Sequence, residues 1–477
     1  MSANTADVDA ETDPTNVHIA VIGGGSRDWG NKLLKDLALT TEIAGEVSLY
    51  DLDQESAELN ARLGRTLLAA DEATGEWEYT VKSDLGRALD GADFVIISVQ
   101  DPPSETFKHD LDIPKEYGIY QSVGDTVGPG GTLRGLRTVP TFTGFAAAIR
   151  DHCPEAWVIN YTNPMTVCTR ALYEEFPAIN AFGVCHEVYG TQRYLAELVA
   201  KHLNVERPAR SEIDVNIKGI NHFTWLDEIR WNGHDLFEII DEELAAQQPL
   251  PHLEPGALSD EGTYVDRCQI TLDLYRRFGI FPAAGDRHLA EFVPWYLEDE
   301  PRLHRWGIRL TPSETRTNKW PKGDRSRRER INGERELDLS PSSEETVQQL
   351  KALLGFDSEF KTNVNLPNRG QVATLPHGPV VETNAVLGAD SLKPVTAGSL
   401  PRGVRNLVST HVENQETIIE AGVTGDIDLG FQAFLNDPLV TVDMESARAM
   451  FAELVETERK YLTAYDLDDS AVLADSR

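Results

Sequence analysis

Two short segments carry the residue types best suited to hold a metal ion, Val184-Cys185-His186-Glu187 and, downstream, Gly219-Ile220-Asn221-His222-Phe223. Thiolate sulfur and imidazole nitrogen are good donors for divalent transition metals, and a site that keeps open positions can take substrate oxygens as its remaining ligands. A Cys plus His pair therefore points to a metal that holds and polarises a hydroxylated substrate. A plain hydride-transfer enzyme for hydroxy acids has no need of one.

Such residues have to be delivered by a scaffold, and the start of the chain indicates which. Val17 to Ile22 reads as a short apolar strand running into Gly23-Gly24-Gly25-Ser26, and Asn31 to Leu39 then reads as an amphipathic helix. Glycine in that turn lets the backbone approach a pyrophosphate, and the helix N-terminus offers amides and partial positive charge. The G-x-G-x-x-G pattern is incomplete, since Asp28 stands at the third glycine position. A second strand, Val47-Ser48-Leu49-Tyr50-Asp51, ends in an acid where adenosine ribose hydroxyls are expected, which favours NAD over NADP. Asp53 competes for the same role.

Further apolar strands, Phe94 to Val99, Trp157 to Tyr161 and Ala181 to Val184, alternate with helical stretches. Alternation of this kind predicts an α/β fold with a Rossmann-like, doubly wound parallel sheet. Ligands of such sheets bind beyond the carboxyl ends of the strands, where Gln100-Asp101, Thr162-Asn163-Pro164 and Cys185-His186 fall. The expected organisation is a tail over 1–16, a nucleotide-binding domain over 17–200 and a second, α+β substrate domain over 201–477 with a strand from Val215 to Ile220. The polar stretch 311–346, which includes Arg325-Ser326-Arg327-Arg328-Glu329-Arg330, is expected to be a solvated helix or mobile flap. No internal repeat is visible.

Of 477 residues, 78 are acidic and 44 basic, a net charge of −34 that disfavours nucleic acid and anionic membranes as partners. The acids are spread along the chain, as on a halophile-like cytosolic surface. Met1 to Asn16 lacks the basic and apolar regions of a secretory signal, and no apolar run approaches the roughly 18 residues of a bilayer span. Four cysteines in a chain of this size make no disulfide framework, so a reduced, cytoplasmic protein is expected.

Together with Val21 to Ser26, the segments Tyr120-Gln121-Ser122-Val123-Gly124-Asp125-Thr126-Val127-Gly128-Pro129-Gly130-Gly131, Asn160 to Met165, Cys185 to Glu187, Gly219 to His222 and Pro282 to Phe292 resemble the NAD- and manganese-dependent family 4 glycoside hydrolases. The nucleotide domain of that family looks like that of lactate and malate dehydrogenases. The resemblance spans Val17 to about Leu454. It is closest to the alpha-galacturonidase branch, through Gln121 to Gly131, Gly285 to Phe292 and Phe431 to Pro438. Alpha-glucosidases, alpha-galactosidases and 6-phospho-glycosidases are related branches.

This family departs from the usual two-carboxylate glycosidase scheme. The resemblance implies that NAD oxidises the sugar's 3-hydroxyl to a ketone, which acidifies the C2 proton. A base removes that proton, the aglycone leaves C1 by elimination, water adds, and the steps reverse to regenerate NAD. A Lewis acid on the C2 and C3 oxygens would stabilise the charge that develops.

Position by position, the resemblance makes Cys185 and His222 the metal ligands. Manganese is expected from the family, although a thiolate and imidazole alone would suit zinc better. Gly23, Gly24, Gly25, Ser26, Asp51 and Asn163 would bind the cofactor, and Asn163 would also hydrogen-bond the sugar near its oxidised hydroxyl. His186 stands where phospho-sugar branches carry an acidic proton donor, and an imidazole can serve as that acid. Asp286 is the first choice of base, with Tyr120 and Asp125 behind it. Arg287, Arg134 and Arg137 are candidates to pair with a uronate carboxylate. The glycine-rich loop Gly124 to Gly131 should be a mobile cover, and dimers or tetramers are expected. Two rivals are an NAD-dependent hydroxy-acid dehydrogenase, which leaves the Cys and His pair unexplained, and a nucleotide-binding sensor that has lost catalysis.

Overall fold

In the computed structural model, which describes residues 14–100, 104–247, 266–356 and 359–474, the chain opens with β1 (Thr15–Ile22), β2 (Ile43–Tyr50), β3 (Trp77–Lys82), β4 (Phe94–Ile97), β5 (Trp157–Asn160) and β6 (Asn180–Gly183). These six run parallel in the spatial order β6-β5-β4-β1-β2-β3. All four residues of β4 are buried, as a strand covered by helices on both faces requires. The helix Trp29–Ala38 buries Leu33, Leu34, Leu37 and Ala38 along one stripe, so the predicted strand, glycine turn and amphipathic helix appear in that order. Most of the predicted tail lies outside the described residues, and β1 already begins at Thr15.

Four strands of the next segment, β7 (Asp214–Ile220), β8 (Phe223–Trp231), β9 (His234–Asp235) and β10 (Phe281–Pro282), form a separate antiparallel sheet. The last three, β11 (Phe360–Pro367), β12 (Val380–Gly388) and β13 (Ser391–Pro394), return to the first sheet. There β11 pairs antiparallel with β6 through Asn365 and Gly183, which makes one nine-stranded sheet.

The segments before and after residue 200 are therefore not separate packing units. One hydrophobic core joins Ile22, Val95 and Val158 to Val404, Phe434 and Leu454, and a second joins Leu33 and Val47 to Leu350, Val364 and Leu387. The physical reason is the edge of β6, whose open hydrogen-bonding groups are covered by a strand from the far half of the chain.

The polar stretch after residue 311 is largely exposed or half-buried, as a solvated helix would be, with Arg327 an exception inside the helix. It contains the helix Thr315–Ile331, in which Arg327 is fully buried. The Arg327 guanidinium reaches Ser56 Oγ at 2.9 Å and Asn60 Oδ1 at 2.6 Å, beside the glycine turn. A polar face at helical spacing looks solvated from sequence, whereas at Arg327 it is satisfied by another element's polar atoms.

Among the described residues no helix is long and apolar enough to cross a membrane.

Candidate active site

Beyond the carboxyl end of β1, the glycine turn comes too close to its neighbours to carry side chains. A Cβ on Gly23, whose φ is +89°, would stand 2.1 Å from the Ser98 carbonyl oxygen, and one on Gly24 would stand 2.7 Å from Leu49 Cβ. Asn60 Nδ2 donates to the carbonyls of Gly24 (2.8 Å) and Ser26 (2.9 Å), which fixes the turn from below. Asp51, at the end of β2, accepts from the Gly25 amide at 2.8 Å and the Asp53 amide at 2.8 Å. Burial raises the Asp51 carboxyl, against the pull of those amides. The alternative, Asp53, accepts from the Ser56 amide as the cap of the helix Gln54–Leu68 and pairs with Arg27 at 2.8 Å. A bare backbone cradle with a carboxylate at the next strand end fits a dinucleotide.

Beyond β5 and β6 the thiol and imidazoles converge. Cys185 Sγ lies 3.3 Å from His222 Nε2, and both residues are buried. His222 occupies the tight link between β7 and β8 with φ +66°, a left-handed backbone, and its Nδ1 is 2.9 Å from Thr126 Oγ1. Burial, and then His288, push the His222 imidazole down to about 3, so it is neutral and able to ligate. Burial pushes the Cys185 thiol well above its usual range, with Glu382 and Glu187 adding to the effect, so a bound cation would have to draw off its proton.

Two further donors stand beside this pair. Asp125, His222 and His288 present ligand atoms that all lie within 4.8 Å of one another. The rings of His222 and His288 lie 3.8 Å apart between centroids, tilted by 31°, and His288 Nδ1 is buried with no protein hydrogen-bond partner. Asp125, His222 and His288 form this group, with Cys185 Sγ beside it at His222 Nε2, and such nitrogen, oxygen and sulfur donors suit a divalent transition ion. Glu187, at the start of the helix Glu187–Leu203, accepts from the Gly285 amide at 2.9 Å and stands 3.7 Å from His288 Nε2. Burial opposes its ionisation, but His288 and His222 outweigh it and hold the carboxyl down at about 2. Sequence reasoning missed His288 as a donor, although it lies inside the motif Gly285 to Phe292. Its signal was a histidine two residues after an acid in that motif.

Other predicted residues take varied places. His186 is exposed at the N-terminus of the helix that begins at Glu187, so it is open to solvent next to the buried thiol. Asn163 Oδ1 and Gln100 Nε2, beyond β5 and β4, are buried without protein partners, as atoms awaiting a ligand would be. Tyr120 lines a 260 Å³ cavity with Lys115, Gln121 and Thr311, to which Cys185, His222 and His288 do not contribute.

Asp286, the first choice of base, is engaged elsewhere. Its carboxylate accepts from the Gln269 amide (2.7 Å), the Thr271 amide (2.9 Å) and Thr271 Oγ1 (2.9 Å), and so caps the start of the helix Gln269–Phe278. An acid beside a turn has the same sequence signature whether it caps or catalyses.

Three predicted guanidiniums also have protein partners. Arg134 Nε donates to the Asn163 carbonyl at 2.9 Å, and Arg287 Nη2 donates to the Ser122 carbonyl and Thr311 Oγ1. Arg137 is buried between Asp110, at 2.7 Å, and Glu458, which removes it from the substrate candidates.

The expected mobile cover, Gly124 to Gly131, is buried and tied down. Glu291 Oε1 accepts from the amides of Val123 (2.7 Å) and Gly124 (2.8 Å), and Asp437 Oδ2 accepts from Gly128 at 2.8 Å. From Gly128 on, the segment is already the first turn of the helix Gly128–His152. Glycine richness here serves close packing: a Cβ on Gly131 would stand 2.5 Å from the Thr126 backbone.

Comparison with known proteins places this geometry. The chain is 45% identical over 465 residues to an alpha-galacturonidase of Thermoanaerobacterium saccharolyticum, covering 95% of this chain and 98% of that one. A crystal structure from Bacillus subtilis described as a glucosidase shares 44% identity and superposes with a TM-score of 0.87, covering 92% of this chain and all of that one. A 6-phospho-alpha-glucosidase from gut microorganisms, solved in complex with NAD and Mn2+, shares only 20% identity but the same fold, with a TM-score of 0.77 over 94% of this chain and 99% of that one. The model of the family 4 glycosyl hydrolases matches residues 18–201 and that of their C-terminal domain residues 217–440, so the chain belongs to family 4 of the glycosyl hydrolases.

Proposed function

We propose that this glycosidase cleaves alpha-galacturonides, with NAD bound at the glycine turn and a divalent cation, manganese, at Cys185 and His222. The observation that carries the reading is the 3.3 Å approach of Cys185 Sγ to His222 Nε2, in line with the strand ends that follow the nucleotide cradle. Identity to the alpha-galacturonidase over nearly the full length of both chains supports the substrate class. When bound, NAD would supply a reversible hydride acceptor and the cation a Lewis acid for neighbouring sugar hydroxyls.

The chain's own residues would do the rest. Cys185 and His222, joined by His288 and Asp125, hold the cation, and Asp51 and the turn Gly23 to Ser26 hold the nucleotide. Asn163 directs its unpaired Oδ1 toward the sugar's reacting hydroxyl. The exposed imidazole of His186 delivers a proton to the departing aglycone. With the Asp286 carboxylate engaged as a helix cap and Asp125 counted among the cation's donors, Tyr120 is the remaining candidate to take the C2 proton. Four free cysteines support a reducing, cytoplasmic setting, and assembly as a homodimer or homotetramer belongs to the same reading.

The test is release of product from a chromogenic alpha-galacturonide, with and without NAD and Mn2+, in heavy water. Cleavage that requires both, with deuterium at C2 and no net NADH, is expected. Preference for glucosides or galactosides would overturn the substrate. Steady NADH formation without bond cleavage would overturn the mechanism in favour of a dehydrogenase.

A further inference from the structure

Behind Cys185 and His222 lies a buried carboxylate that the proposed chemistry does not use. Glu382, on β12, is 1% exposed. Its strand is joined through β11 to β6, the strand that delivers Cys185. Glu382 Oε1 accepts from Asn363 Nδ2 at 2.7 Å, and Oε2 accepts from Asn221 Nδ2 at 3.0 Å.

Each amide also serves the Cys and His pair. Asn363 Nδ2 donates to the Cys185 carbonyl at 3.2 Å. Asn221 immediately precedes His222, whose backbone is left-handed, so the bond from Asn221 to Glu382 fixes the chain where it delivers the imidazole. One carboxylate thus sets two amides, and the two amides set both ends of the donor pair.

The charge balance around Glu382 points the same way. Among the described residues no Lys, Arg or His forms an ion pair with it, and its hydrogen-bond partners are amides. A fully buried carboxylate is costly unless it is hydrogen-bonded and its charge is compensated.

We propose that Glu382 is a positioning residue for the divalent cation: through Asn221 and Asn363 it aims Cys185 and His222 at one point, and the bound cation balances its charge. Outer groups that orient metal ligands are typically worth about 10–100-fold in metal affinity. The inference rests on the reading that this pair binds a cation.

The experiment is isothermal titration of Mn2+ into metal-free wild-type, Glu382→Gln and Asn363→Leu protein, with NAD+ affinity and the metal-free melting temperature measured alongside. Expected is a loss of Mn2+ affinity on the order of tenfold or more in both variants, with NAD+ affinity within about twofold of wild type. Mn2+ affinity within twofold of wild type in Glu382→Gln, with a lowered melting temperature, would make Glu382 a structural residue only and overturn the proposal. Should Glu382→Gln not fold, Asn363→Leu decides by the same criterion. Absence of Mn2+ binding by the wild type would instead overturn the underlying metal reading, a result distinct from binding that the variants retain.

Discussion

Arg327 donates a 2.6 Å hydrogen bond to Asn60 Oδ1, while the other end of that Asn60 amide holds the carbonyls of Gly24 and Ser26. A helix from the far half of the chain is thereby held to the nucleotide turn, alongside ion pairs of Asp324 with Arg27 at 2.8 Å and Lys319 with Asp28 at 2.9 Å. The guanidinium is fully buried, and Asp324 compensates its charge at 2.5 Å.

Arg327→Met should therefore act on folding and cofactor binding together. Loss of charged hydrogen bonds in a buried site costs about 2–4 kcal/mol. NAD+ affinity should fall several-fold, because Asn60 loses the partner that fixes its amide. Urea unfolding and NAD+ titration check both parts; a destabilised variant with wild-type NAD+ affinity would show that the turn holds its shape without the relay.

Arg137 illustrates a different outcome for a predicted guanidinium. Arg137→Met would leave Asp110 and Glu458 buried and unpaired, a loss of about 3–5 kcal/mol in denaturant unfolding. KM for the galacturonide should stay within about twofold where the variant folds. A large rise in KM with unchanged stability would return Arg137 to the substrate site.

How much of this was legible beforehand follows from the range of each interaction. The strand, glycine turn and helix at Val17 to Leu39 depend on neighbours in sequence, so their pattern is local and readable. Cys185 and His222 were readable because motifs flank them. The pairing of β11 with β6 and the burial of Arg327 depend on partners at long sequence distance, 302 residues for Arg327 and Gly25. Composition of the segment 311–346 describes its polarity, not the polar surface that receives it. Glycine in Gly124 to Gly131 was read as freedom because close packing and flexibility call for the same residue.

The pinned loop gives a pH dependence. Burial raises the Glu291 carboxyl to about 8, against the lowering effect of the Val123 and Gly124 amides. A carboxyl raised in the folded state keeps a proton that the unfolded chain has released, so stability falls as pH rises from about 4.5 to 8. The slope approaches about 1.4 kcal/mol per pH unit for one such group. Glu291→Gln keeps an oxygen for both amides and removes the titration. Unfolding free energies from pH 5 to 8.5 should decline less steeply in the variant; parallel slopes would show that other groups set the pH response.

His288 offers the sharpest check on the donor set, because its Nδ1 is buried without a protein partner and its ring lies 3.8 Å from that of His222. If His288 completes the set with Cys185, His222 and Asp125, His288→Gln should weaken Mn2+ binding in the metal-free protein by about 10–100-fold, the range for loss of a group that supports a metal site. Cys185→Ser should weaken it at least as much, since a hydroxyl does not supply a thiolate. The two variants should leave NAD+ affinity near wild type, because neither residue touches the glycine turn. Mn2+-dependent shifts in melting temperature, read with and without NAD+, separate the contributions. Equal Mn2+ stabilisation of His288→Gln and wild type would remove His288 from the ligands and leave it as a neighbour whose charge, after burial, disfavours a protonated His222 imidazole.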